Sequence, residues 1–141
     1  MGRIIAIDYG QKRTGLAATD TLQLIANGLT TVPSGKAVDY LVNYVSGESV
    51  DVFVVGYPKQ MNNEPSENLT HVEGFVKRLR RALPDIPVAY CDERFTSVLA
   101  HRAMLDGGLK KSKRRDRALA DELSAVFILQ TYLESTKYKE T

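Results

Sequence analysis

The chain has 141 residues, 43% of them hydrophobic and 26% charged, with a net charge of +2, which fits one ordinary domain with a real hydrophobic core. Its apolar stretches are too short to span a membrane, and the first strand begins too early to leave room for a signal peptide. The single cysteine, Cys91, excludes an internal disulfide and a cysteine-based zinc site, so we expect a cytoplasmic protein.

The first half of the chain predicts three strands, a helix and a fourth strand. Apolar, β-branched runs joined by short polar links indicate antiparallel hairpins over residues 3–9, 15–19 and 24–32. Apolar side chains then recur at helical spacing from Lys36 to about Ser46. The continuous apolar run 51–56 predicts a strand that is covered on both faces, and a polar loop with two prolines follows over 57–65.

The second half predicts a helix over residues 66–82 and a strand over 88–92. Two further helices are predicted over about 96–106 and over 117–133. We expect the last helix to bury Leu119, Leu123, Val126 and Phe127. The chain is polar from Ser135, which predicts a single domain over 1–134 and a polar tail over 135–141. Three hairpin strands followed by alternating helices and strands predict an α/β fold, a five-stranded mixed sheet with helices on its faces.

Three carboxylates stand where a strand end or a helix turn can direct them to one point: Asp8, Glu93 and Asp121. Asp8 ends the first strand just before Gly10, where sheet proteins often place ligands, although an Asp before Gly is also a common turn former. Carboxylates in a poorly solvated cleft repel one another unless a divalent cation neutralises them. Two such cations can hydrolyse a phosphodiester with water.

Two of these carboxylates have an acidic neighbour, and the spacing does not choose within either pair. Asp92 and Glu93 point to opposite faces if the strand persists, and periodicity does not say which face carries the site. Asp121 lies in the first turns of a helix that begins near Arg117, where an acid can simply complement the helix dipole. The helical wheel directs Asp121 inward and Glu122 toward solvent.

Basic residues are concentrated in two short segments, although the net charge is small. One segment spans residues 110–117 and contains Lys110, Lys111, Lys113, Arg114, Arg115 and Arg117. The other lies on the helix before Pro84 and contains Lys77, Arg78, Arg80 and Arg81. Such clustering is typical of a phosphate-binding surface, but a basic loop can also be only a solvated loop.

Four segments of the chain, AIDYGQKRTGLA, VVGYPKQMNNEP, DERFTSVLA and ADELSAVFIL, resemble the YqgF/RuvX family of the RNase H-like superfamily. The resemblance runs from about residue 3 to residue 133, and members are described as Holliday junction resolvases and as pre-16S rRNA nucleases. It implies an RNase H-like fold and metal-binding roles for Asp8, Glu93 and Asp121. Many relatives have a hydroxyl residue at the position of Glu122, which leaves the choice between Asp121 and Glu122 open.

The resemblance implies a metal-dependent endonuclease that uses two Mg²⁺ or Mn²⁺ ions. Phosphate contacts are expected from the basic segment 110–117 and from Lys12, Arg13, Lys59 and Arg94. The substrate is either precursor rRNA, with the ribosome or its precursors as partner, or a four-way DNA junction. We expect processing of the 5′ end of pre-16S rRNA, by a monomer or a homodimer.

Two other classes of function fit parts of the chain. Asp8-x-Gly10 followed by Lys and Thr is similar to the phosphate-binding opening of actin-like ATPases, but that superfamily needs two facing domains and this chain has room for one. A non-catalytic RNA-binding or ribosome-assembly module would retain the fold without the chemistry. Cleavage that depends on metal separates the nuclease from both.

Overall fold

A computed structural model of the chain describes residues 2–57, 68–92 and 113–139, with the side chains of Asp92 and of residues 113–119 and 136–139 left outside the description. Its elements in chain order are β1 (Arg3–Tyr9), β2 (Arg13–Thr19), β3 (Ala26–Pro33), a short 3₁₀ helix (Ser34–Lys36), α1 (Ala37–Gly47), β4 (Val50–Tyr57), α2 (Leu69–Ala82), β5 (Val88–Asp92) and α3 (Lys113–Lys139). The predicted helix over 96–106 and nearly all of the predicted loop over 57–65 lie outside the described residues.

The five strands form one mixed sheet in the order β3-β2-β1-β4-β5. The two N-terminal hairpins make antiparallel pairs, β1 with β2 and β2 with β3. β4 then pairs parallel with β1 on its other side, and β5 pairs parallel with β4. The predicted α/β fold with three antiparallel strands and two further strands is therefore confirmed.

Strand alternation divides the core into two parts, one on each face of the sheet. On one face, α1 and α2 cover Ile5, Ile7, Leu16, Phe53 and Val55. On the other face, α3 packs its Ala125, Ile128 and Leu129 against Ile4, Ala6, Ala17 and Val54. Each fully buried large side chain contributes about 1.5–3 kcal/mol to folding, so α3 is held to the sheet mainly by apolar contact.

Helix α3 is longer at both ends than the sequence pattern predicted. It begins at Lys113 rather than near Arg117, so the second half of the basic segment is helical rather than a loop. It also continues to Lys139, through most of the predicted polar tail. The segment 113–139 has no glycine or proline to stop a helix. No helix in the described ranges is both long and apolar enough to cross a membrane.

The buried face of α3 also differs from the prediction. Val126 and Phe127, expected in the core, are only half-buried, whereas Ile128 and Leu129 are fully buried. Leu123 is half-buried as well, and the side chain of Leu119 is outside the description. Apolar residues occur on nearly every side of this helix, so its periodicity alone does not select a face. The buried face is the one that meets Ile4, Ala6, Ala17 and Val54 on the sheet.

Candidate functional site

Asp8 lies near the carboxyl end of β1 and is half-buried. Its neighbours on the same face of the strand, Ile4 and Ala6, belong to the core under α3, so alternation directs Asp8 to the α3 side of the sheet. In the β1–β2 ladder Asp8 is directly opposite Gly15. Opposed residues in an antiparallel pair point to the same face, so Gly15 also faces α3.

At Gly15 the backbone of α3 lies directly against the backbone of the sheet. A Cβ atom built on Gly15 would overlap the backbone carbonyl oxygen of Asp121, so no side chain fits there. Glycine is required at this position for close approach of two backbones, and the structure shows no left-handed φ at this residue. Asp8 and Asp121 therefore meet the same residue on one face of the sheet, since Asp8 is opposite Gly15 in the ladder and the carbonyl of Asp121 lies against Gly15.

Asp121 forms an ion pair with Arg13 of β2. Arg13 stands two residues before Gly15 and shares its face, and its Nε donates to Oδ2 of Asp121 at 2.7 Å. The side chain of Arg13 is 39% exposed and that of Asp121 is 24% exposed. Asp121 lies more than two turns into α3, and the helix dipole acts only within the first turn, so this acid does not serve the dipole.

The helical wheel predicted that Glu122 points to solvent, and this prediction is wrong. Glu122 is half-buried, and its carboxylate lies where a Cβ atom of Gly28 in β3 would stand. The reason is that α3 lies over both β2 and β3, so two neighbouring helix residues lie over different strands. Asp121 turns toward Arg13 and Glu122 toward β3, which separates the two carboxylates.

A buried pair of hydroxyl groups secures the β1–β2 turn from the other face. The Ser34 hydroxyl donates to the carbonyl of Gly10, so the Thr14 hydroxyl must donate to Ser34 Oγ, at 2.8 Å. The backbone N–H of Ser34 also donates to the carbonyl of Lys12 at 3.0 Å. Nothing in the sequence pattern marked Ser34, because its role depends on the turn that it contacts.

The described basic residues lie in separate places. Lys12 is exposed in the turn beside Arg13, and residues 113–117 form the first turns of α3. The basic group of α2 is exposed on the face of the sheet that α1 and α2 cover, where Arg78 donates to the hydroxyl of Tyr9 at 3.3 Å and Tyr9 stacks on Phe75 with 4.6 Å between ring centroids. The α2 group is therefore connected to the residue that follows Asp8, but across the sheet from it.

Several expected site residues are outside the description. These are Glu93, Lys59, Arg94, Lys110 and Lys111, together with the side chains of Lys113, Arg114, Arg115 and Arg117. Cys91, two residues before Glu93, is buried on the α3 side of β5. Within residues 2–57, 68–92 and 113–139, no three His, Cys, Asp or Glu side chains are grouped as a metal site. The metal-binding roles of Asp8, Glu93 and Asp121 stay predictions.

Comparison with known proteins gives one family and two descriptions of what its members do. The family model for RuvX, described as "Holliday junction resolvase", matches residues 2–135. A protein of Parabacteroides distasonis named "Putative pre-16S rRNA nuclease" is 70% identical over 139 residues, covering 99% of each chain. A protein of the same name from Phocaeicola vulgatus is 62% identical over 138 residues, covering 98% of this chain and 99% of its own.

Among solved structures, the Thermus thermophilus RuvC protein in complex with a Holliday junction substrate has a TM-score of 0.54 and 15% identity. The match covers 93% of this chain and 96% of that one. At this identity the similarity shows the fold alone, which is RNase H-like. With the family model matched over nearly its whole length, the chain belongs to the RuvX family.

Proposed function

We propose that the protein is a divalent-metal-dependent endonuclease that processes the 5′ end of pre-16S rRNA. The observation that carries the proposal is that Gly15 brings Asp121 of α3 against the hairpin that bears Asp8, with both acids on one face. Membership of the RuvX family supports a nuclease that acts on structured nucleic acid, and the name shared by the curated relatives supports pre-16S rRNA as its substrate. The relatives' name favours RNA as the substrate.

The carboxylate oxygens of Asp8 and Asp121 fit a hard divalent cation such as Mg²⁺ or Mn²⁺, and we propose Glu93 as the third ligand. Bound in a pair, such cations activate water and stabilise the leaving 3′ oxygen. The protein supplies rigidity. Asp8 stands on a central strand paired on both sides, and Asp121 is held by backbone contact with Gly15. Carboxylates on rigid elements need little reorganisation to receive a cation.

The first turn of α3 supports a phosphate-binding role. Lys113, Arg114 and Arg115 occupy the end of the helix where the dipole disfavours cations, so their charges do not stabilise the helix through its dipole. Together with Lys12 in the β1–β2 turn, they are proposed to hold backbone phosphates of the substrate. Replacing the three helix residues with alanine should weaken RNA binding and reduce the salt-dependence slope by about one unit for each phosphate that is no longer neutralised. An unchanged slope would mean that these cations are only solvated.

The family description favours a second substrate, a four-way DNA junction. A resolvase needs two sites that cut symmetrically related strands, so this role requires a twofold homodimer. An rRNA nuclease can act as a monomer and can use the 2′-OH that DNA lacks. The RNA role also implies ribosome precursors as partners and a cytoplasmic location, which are parts of the same proposal.

The direct test compares cleavage of a precursor rRNA fragment and a synthetic four-way junction by purified protein with Mg²⁺ or Mn²⁺. Cleavage of the RNA should stop in excess EDTA and fall about a hundredfold or more in Asp8→Asn, because the carboxylate is proposed as a metal ligand. Asp39→Asn is the matched control, since Asp39 is an exposed acid on α1, across the sheet.

Three results would count against the proposal. Cleavage that persists without metal, or equal activity in the two variants, would contradict the metal site. Paired symmetric nicks in the junction by a stable dimer, with the RNA intact, would replace the RNA substrate by DNA. No cleavage of either substrate under any metal would favour the non-catalytic module.

A further inference from the structure

We propose that Arg13 is a built-in counter-ion, which holds the carboxylate of Asp121 in the metal-free protein and weakens metal binding because the cation must displace it. The inference rests on the proposed function, since it requires a divalent cation at Asp121. It assigns to Arg13 a role that differs from a phosphate contact alone.

The geometry makes the competition direct. Arg13 Nε is 2.7 Å from Asp121 Oδ2, the kind of oxygen that a divalent cation requires. Asp121 has little freedom to turn away with its backbone, because its carbonyl lies against Gly15. Arg13, in contrast, extends from β2 with 39% of its side chain exposed, so it can move to solvent. The group that yields is therefore the arginine.

The charges explain why a counter-ion is needed. Asp8 and Asp121 face the same side of the sheet, and the proposed metal site would bring their like charges together, where they repel each other. The guanidinium of Arg13 is a cation, so it neutralises part of this charge whenever metal is absent. A divalent cation brings twice the charge to the same oxygens and repels the guanidinium. Arg13 should thus stabilise the metal-free fold and oppose metal binding.

If Arg13 had a structural role, its removal would change Mn²⁺ affinity in the opposite direction. If the ion pair serves to orient Asp121 for the cation, then its removal would leave the carboxylate less ordered and weaken metal binding. If Arg13 contacts only substrate, its removal would leave metal binding unchanged. The direction of the change in Mn²⁺ affinity therefore distinguishes a counter-ion from both other roles.

The experiment measures Mn²⁺ binding by calorimetry and melting temperature with and without Mn²⁺, using the full chain. Arg13→Gln should lower the Kd for Mn²⁺ about two- to fivefold, the range expected for a partly exposed pair. Its metal-free form should melt below the wild-type protein, and Mn²⁺ should raise its melting temperature further than it raises that of the wild type. Arg13→Lys, which keeps the charge, should remain near the wild-type Kd.

A matched control is available at the other end of β1. Arg3 Nε lies 3.2 Å from Glu48 Oε2, with 29% and 45% of the two side chains exposed, so this ion pair is similar in type and exposure. Arg3→Gln removes this pair, together with the bond from Arg3 Nη1 to the carbonyl of Thr19 at 2.9 Å, and should keep the wild-type Kd for Mn²⁺. The difference between Arg13→Gln and Arg3→Gln should shrink as salt is added, because salt screens partly exposed charges.

The outcomes separate the inference from the proposed function. Unchanged or weaker Mn²⁺ binding by Arg13→Gln would overturn the counter-ion role while the metal site stands. Failure of the wild-type protein to bind Mn²⁺ would overturn both. Should Arg13→Gln not fold, the Nε–H resonance of Arg13 in the wild-type protein gives a second test. Mg²⁺ should move that resonance toward the position of free arginine, and a resonance unchanged at saturating Mg²⁺ would overturn the proposal.

Discussion

Replacement of Gly15 by alanine tests the backbone contact on which the candidate site depends. The added Cβ would meet the carbonyl carbon and oxygen of Asp121 and the backbone nitrogen of Glu122, none of which is the end of a flexible side chain. Because real Cβ contacts essentially never fall below 3.0 Å, α3 has to move away from β2 by about 1 Å at this point. The substitution therefore acts as a wedge between helix and sheet.

The cost follows from overpacking. Forcing backbone apart in a packed core costs about 1–3 kcal/mol, and each kcal/mol corresponds to roughly 3–5 °C in Tm for a chain of this size. We expect a loss of about 2 kcal/mol, or roughly 6–10 °C. A displacement of about 1 Å between Asp121 and Asp8 should also reduce cleavage about a hundredfold, since misplacement on that scale is enough to disrupt a catalytic geometry.

The assays are calorimetric or urea unfolding and cleavage of the precursor rRNA fragment, with Gly47→Ala as control. Gly47 ends α1 in open space with no left-handed φ, so alanine there should leave stability unchanged or raise it by up to about 1 kcal/mol. A Gly15→Ala protein that melts and cuts RNA as the wild type does would refute the reasoning. It would show that the helix does not need to approach the strand so closely.

Two further predictions concern the turns around the sheet. The pKa of Asp20 is lowered below its ordinary value of 3.8, chiefly because its carboxylate accepts the backbone N–H of Ile25. The ionised carboxylate of Asp20 therefore stabilises the fold fully above its ordinary pKa, and this stabilisation is lost as pH falls through the folded pKa. Asp20→Asn should make the free energy of unfolding depend less on pH in acid. A pKa of Asp20 at or above 3.8, measured by NMR, would contradict this. Ser34→Ala should cost about 1–3 kcal/mol in urea unfolding, because the Gly10 carbonyl loses its donor and the buried Thr14 hydroxyl its acceptor; wild-type stability would show that water replaces both bonds.

The fold could largely be predicted because hydrophobic alternation and its interruptions are local. The predicted first strand has the bounds observed for β1, and the predicted strand 88–92 those of β5. The second strand begins at Arg13, two residues earlier than predicted. The hydrophobic pattern missed Arg13 and Thr14 because both residues are polar. They are held in the strand by pairing with Val32 and Pro33 of β3, which no hydrophobic pattern records.

The candidate site could be predicted only in part, for a related reason. The position of Asp8 follows from alternation along one strand, which assigns it to the face of Ile4 and Ala6, although only the structure shows that α3 covers this face. The pairing of Arg13 with Asp121 depends on where a distant helix crosses β2, and Gly15 sets that crossing. Spacing along the chain carries no record of it. The same crossing explains why Glu122 lies over β3 rather than in solvent.

The ion pair between Arg13 and Asp121 joins residues 108 positions apart, the first hairpin and the last described helix. This separation determines when the pair can form during synthesis of the chain. Chains are made from the N-terminus, so β1 and β2 emerge early, whereas Asp121 emerges 108 residues after Arg13. Closing so long a loop is also among the slowest kinds of contact to form. A nascent chain therefore carries Asp8 without Asp121 until α3 has also been made. The activity proposed for it would arise only after α3 has emerged and docked on the sheet.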